Sequence, residues 1–155
     1  ANVLSHIEWL AIFFFAGLFI LVGGLVETGV IKLLAEKILE ITAGDLTSTT
    51  MLILWLSAIA SAFIDNIHRS NSHTMIKDMG AMGMTNLEPL WWALSLGACL
   101  GGNGTLIGAS ANVVVASMAA IHGEKISFAK YFMVAFPIMI LSIIISSIYL
   151  YLFYL

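Results

Sequence analysis

Apolar and polar residues fall into long separate blocks along this chain, and the length of each block limits what it can form. Residues 9–26 (WLAIFFFAGLFILVGGLV) carry no charge. A helix of about 18 residues at 1.5 Å rise covers most of a 30 Å hydrocarbon layer, so the block predicts a first span. Residues 30–41 (VIKLLAEKILEI) differ: Ile31, Leu34, Ile38 and Ile41 recur at helical spacing while Lys32, Glu36, Lys37 and Glu40 occupy the other face. That pattern predicts an amphipathic helix lying along the membrane surface. Ala43-Gly44-Asp45 closes it, and residues 47–50 offer N-cap candidates for the next helix.

Residues 51–64 (MLILWLSAIASAFI) are apolar but short. A run of about 14 residues fits a re-entrant segment better than a full crossing. It stops at Asp65-Asn66, and His68-Arg69-Ser70-Asn71-Ser72-His73 is polar throughout, so 48–80 is expected to form a re-entrant hairpin. Residues 90–121 are apolar again but interrupted by Gly101-Gly102-Asn103-Gly104-Thr105. Each glycine costs about 1 kcal/mol in a helix interior, so this stretch reads as a broken helix. A short polar link then leads into a last expected span over 130–153, containing Pro137 and ending in Tyr149, Tyr151 and Tyr154. Neighbouring helices tolerate a proline kink in a membrane.

Composition supports the same solvent. The chain has 155 residues, of which 61% are hydrophobic and 10% charged. Soluble domains hold roughly 45–50% apolar and about 25% charged residues. The expected fold class is therefore an all-α, multi-pass membrane protein, placed in the cell inner (plasma) membrane with the lipid bilayer as its surroundings. A net charge of -3 without a basic run excludes nucleic acid as a partner. The single cysteine, Cys99, permits no disulfide framework. Lys32 and Lys37 flank one connection, Lys125 and Lys130 another, so positive charge selects no orientation. The chain opens Ala1-Asn2, and the first apolar run lacks a basic n-region and an Ala-x-Ala site; it is read as a span rather than a signal peptide, with further sequence expected upstream.

Two polar interruptions lie inside apolar text: Asp65-Asn66 and Asn103-Gly104-Thr105. Backbone that leaves the helix at membrane depth is tolerated only where protein or a water-filled cavity surrounds it. Both interruptions are therefore expected to face inward. Freed helix N-termini attract anions there, and unwound carbonyls and side-chain oxygens coordinate cations. A carboxylate such as Asp65 is costly at that depth and suits Na⁺ or proton coupling. The alternatives are structural: Asp65 caps a turn at an interface, and Gly97-x3-Gly101 with Gly104-x3-Gly108 serves close helix packing. Other chemistries fail on spacing. Gly102-x-Gly104-x3-Gly108 follows no strand, His68 and His73 do not share a helix face, and neither a serine-centred elbow nor a His-Glu-x-x-His motif occurs. No metal site, no cofactor and no enzymatic activity are expected, apart from a transported or coupling ion such as Na⁺ or H⁺.

At 13–31 (FFFAGLFILVGGLVETGVI), 61–67 (SAFIDNI) and 90–116 (LWWALSLGACLGGNGTLIGASANVVVA) the chain resembles the ion transporter superfamily. That superfamily holds arsenite permeases, NhaD-type sodium/proton antiporters, the P protein and citrate-transporter-like domains. The resemblance covers nearly the whole chain and implies the C-terminal one of two inverted repeats, each with a re-entrant hairpin and a broken helix whose tips meet at the midplane. It implies secondary transport of an inorganic ion or small anion by alternating access. Asp65 and Asn66 would then couple a cation or proton, and Asn103, Gly104, Thr105, Ser110 and Asn112 would line the substrate site. The partner half-site would come from an N-terminal repeat absent here, and homodimerisation is compatible with the resemblance.

One stretch departs from the family. Where its members follow Asp-Asn-Ile with proline and an apolar arm, residues 68–74 are polar and include Arg69. One codon choice for 68–74, read one base later, gives Ile-Val-Pro-Thr-Val-Thr, an apolar arm. The rival reading is accordingly a truncated, non-transporting membrane remnant with a frameshifted hairpin arm.

Overall fold

The computed structural model describes residues 27–63 and 68–155, with positions 12, 13, 16, 17, 20 and 24. Most of the expected first span, 9–26, lies outside the described residues. Those described form an all-α structure of six helices without a strand: α1 (Val30–Thr42), α2 (Leu46–Phe63), α3 (His68–Ala81), α4 (Glu88–Gly101), α5 (Ser110–Ile121) and α6 (Phe128–Phe153).

Helix α1 buries Ala35 and Ile38 and packs mainly on α3, which buries Met75, Ile76 and Met79. Its charged face stays outside, where Lys37 and Glu40 pair at 2.6 Å. An exposed pair one turn apart adds only a few tenths of a kcal/mol. The helix ends as Ala43 and Gly44 turn left-handed (φ 49° and 73°), and the Gly44 N–H reaches back to the Leu39 carbonyl at 3.2 Å.

Helix α2 begins earlier than its apolar run. The carboxylate of Asp45 accepts from the Ser48 N–H at 2.8 Å, so Asp45 caps the helix rather than any of residues 47–50. That hydrogen bond holds the Asp45 carboxyl below its ordinary value. The capped form is therefore favoured above the usual carboxylate range and lost as pH falls through the depressed value. Thr49 and Thr50 sit inside the helix, because their hydroxyls bond back to the Asp45 and Leu46 carbonyls at 2.6 and 2.7 Å. The additional residues change what the helix can do. With 18 residues instead of the 14 of the apolar run, α2 is long and apolar enough to cross a membrane, as is the 26-residue α6. Their lengths are about 27 and 39 Å.

Helix α6 runs through Pro137 without interruption. It buries Met139, Ile143, Ser146 and Leu150 and packs on α4 and α2. The Trp55 indole N–H donates to the Ser147 hydroxyl at 3.2 Å, tying α2 to α6. The two segments of the expected hairpin, α2 and α3, have different principal neighbours: α2 packs on α4, and α3 on α1.

Candidate functional site

Among the described residues, α2 and α4 pack closely against each other, and small residues make the contact. A Cβ on Gly97 would stand 2.5 Å from the Leu54 carbonyl oxygen, and one on Gly101 would stand 2.6 Å from Ala58 Cα. Leu54 to Ala58 and Gly97 to Gly101 are both steps of four residues in the same sense, so the two helices run parallel and end side by side. Glycine at these positions removes the side chain that would otherwise separate the backbones. The packing role of Gly97-x3-Gly101 is thus an observed one.

Immediately after α4 the chain leaves the helix over residues 102–109 and re-enters at Ser110, with Ala109 extended (φ -146°, ψ 138°). The break is buried on its inner side: Gly102, Gly104, Thr105 and Gly108 are all enclosed, and a Cβ on Gly108 would lie 2.7 Å from the Ala62 carbonyl oxygen. Three side chains hold it. The Thr105 hydroxyl donates to the Ala62 carbonyl in the last turn of α2. The Asn112 amide donates to the Gly102 and Thr105 carbonyls at 3.1 and 3.0 Å, closing the loop from the α5 side. The Tyr131 hydroxyl, from the start of α6, reaches the Asn103 carbonyl at 3.4 Å. A fourth contact, from the Ser61 hydroxyl to the Ala98 carbonyl at 2.6 Å, joins α2 to the last turn of α4.

The five candidate residues of the second interruption therefore meet in one place but at different depths. Gly104 and Thr105 are buried, Asn112 is half-buried, and Asn103 and Ser110 are exposed on the outer side of the break. The donors of Thr105 and Asn112 are taken by backbone carbonyls, which leaves their oxygens as their remaining polar atoms. Asp65 and Asn66 lie outside the described residues. Sequence reading missed Ser61 and Tyr131. The signal for Ser61 was present, since Ser57 and Ser61 repeat the four-residue spacing of Gly97 and Gly101 on the facing helix. Tyr131 carried none. An open apolar groove of about 420 Å³, lined by Val115, Met118, Ala119, His122 and Glu124, lies at the far end of α5 and includes none of the candidate residues.

Two apolar helices long enough to span a bilayer, with an interrupted helix stapled to the end of one of them, fit the class of all-α membrane proteins. Comparison with known proteins gives the family. The citrate transporter profile matches residues 1–97, and the chain belongs to that family, within the ion transporter superfamily. It is 44% identical over 157 residues to an uncharacterized transporter of Mycobacterium bovis, covering 99% of this chain and 37% of the relative. It is 40% identical over 158 residues to a 46 kDa membrane protein of Mycobacterium leprae, covering 100% of this chain and 37% of the relative. It is also 40% identical over 156 residues to the P protein of Sus scrofa, covering 96% of this chain and 18% of the relative. The chain thus spans little more than a third of the mycobacterial relatives, at 37%. No solved structure matches it.

Proposed function

We propose that this chain supplies one half of the site of a secondary active transporter for an inorganic ion or small anion, of the Na⁺/H⁺ antiport or arsenite/carboxylate type, driven by a cation gradient through alternating access. One observation carries the reading: the non-helical backbone of 102–109, buried and bonded against the end of α2, turns Asn103 and Ser110 outward from the same break. Irregular backbone between apolar helices needs protein or a water-filled cavity on its open side. Half-helices meeting at such a break present carbonyls to cations and N–H groups to anions. Asn103, Gly104, Thr105, Ser110 and Asn112 would line the substrate side. Asp65 and Asn66, which follow α2 in the sequence, would serve the cation or proton. The reading requires no cofactor. The other half would come from an N-terminal repeat of the kind that the greater length of the relatives has room for, in the inner membrane, with a homodimer as the assembly.

The test is transport in proteoliposomes, comparing this chain alone, the chain together with its upstream gene segment, and each with Asp65→Asn, while sodium-driven proton movement is recorded. Movement by the combined protein that Asp65→Asn abolishes supports the reading. One observation favours the rival remnant: α3 spans the polar text HRSNSHTMIKDMGA, with Arg69, Lys77 and Asp78, and is not among the helices of spanning character. If nothing moves until an apolar arm replaces 68–74, the remnant reading stands instead.

A further inference from the structure

The last four carbonyls of a helix have no partner within it, and a helix end that is buried must find one elsewhere. At the end of α4, Leu100 and Gly101 accept from the N–H groups of Asn103 and Gly104 at 3.2 and 2.8 Å. Ala98 is served differently, by the Ser61 hydroxyl of α2 at 2.6 Å. At the end of α2 the relation is reversed, since the Ala62 carbonyl is served by the Thr105 hydroxyl from the break that follows α4. The last described turn of α2 and the end of α4 are therefore joined in both directions, Ser61 of α2 donating to α4 and Thr105 of the break after α4 donating to Ala62 of α2.

We propose that Ser61 is a positioning residue for the 102–109 break. Its hydroxyl fixes the last turn of α4 against α2, and so sets where the backbone of 102–109 begins; the Thr105 bond sets where it passes α2 again. Ser57 provides the contrast. It lies one turn earlier on the same face, equally buried at 5% against 4% exposure, yet its hydroxyl bonds within its own helix, to the Leu54 carbonyl at 3.0 Å. Deleting either hydroxyl removes the same atom from the same seam, and only at Ser61 does it release α4.

The inference deepens the transport reading but can be decided without it. Amide hydrogen exchange is measured on the full chain in lipid nanodiscs for the wild type, Ser61→Ala and Ser57→Ala. Ser61→Ala is expected to raise exchange about tenfold across 102–109, the scale of one released hydrogen bond, and to leave 139–150 of α6 unchanged. Ser57→Ala is expected to change neither. Unchanged exchange in Ser61→Ala, or an equal rise in Ser57→Ala, overturns the proposal. In the protein that moves sodium in proteoliposomes, Ser61→Ala is further expected to raise half-saturating sodium about threefold with the maximal rate little changed, because a displaced loop weakens binding before turnover. Raised exchange with unaltered half-saturation overturns a role for Ser61 in ion binding. A wild type that moves nothing sinks the transport reading and leaves Ser61 to the exchange result.

Discussion

Helices α4 and α5 are the two arms of one interrupted apolar stretch, 14 and 12 residues long, and they meet opposite fates. Helix α4 buries Pro89, Leu90, Ala93, Leu94, Gly97 and Gly101 against α2 and α6, whereas α5 buries none of its residues. Val115 is 61% and Ile121 is 78% exposed. Hydrophobicity does not separate the two arms. What separates them is relief: α4 has two glycines four residues apart, Gly97 and Gly101, opposite Leu54, Ser57 and Ala58, so two backbones can touch. Helix α5 turns branched Val114 and Val115 outward and carries no glycine along its length. Inside a bilayer, where lipid tails are as apolar as the side chains, close packing and hydrogen bonds rather than apolar burial hold helices together. The stapled end of α4 and the open face of α5 follow from that difference.

The comparison breaks most severely at Gly101. Leucine there meets the Ala58 backbone, which cannot swing aside as a side chain would. Gly101→Leu is expected to destabilise the chain by about 3 kcal/mol or more. Unfolding in mixed lipid–SDS micelles, followed by tryptophan fluorescence, measures it; a near-neutral result would mean that α2 and α4 are not held by their backbones. Thr105→Val keeps the shape and removes the bond to the Ala62 carbonyl. The expected loss in the same titration is about 1 kcal/mol, the range of hydrogen bonds between membrane helices. Val115→Ala on the open face of α5 is the smallest, within about 0.5 kcal/mol of wild type, as for substitutions that leave no cavity. A larger loss would show that α5 packs on something in the micelle and would erase the contrast with α4.

Much of the chain was legible before any coordinates. The absence of charge over 9–26, 51–64 and 131–153, and an overall charged content of 10% against about 25% in soluble domains, point to a bilayer as the solvent. The amphipathic repeat of Lys32, Glu36, Lys37 and Glu40 against Leu34 and Ile38 marked α1, and the cluster Gly101-Gly102-Asn103-Gly104 marked a place where a helix is costly to continue. These are local properties: periodicity, length and backbone propensity act within a few residues.

Which residues face one another is not local, and only the tertiary structure decided it. Counting apolar residues started α2 at Met51, but the Asp45 cap and the back-bonded Thr49 and Thr50 place its start at Leu46 and lengthen it to 18 residues. The glycines allowed two readings, a broken helix or a packing seam; in the structure Gly97 and Gly101 pack on α2, and the chain leaves the helix just after them. Asn112 and Thr105 looked alike as polar groups in apolar text, yet their donors go to the carbonyls of Gly102, Thr105 and Ala62. A sequence states which donors and acceptors exist. Their pairing depends on distances between segments 43 residues apart, as for Ala62 and Thr105, and those are set only when α2 and α4 come together.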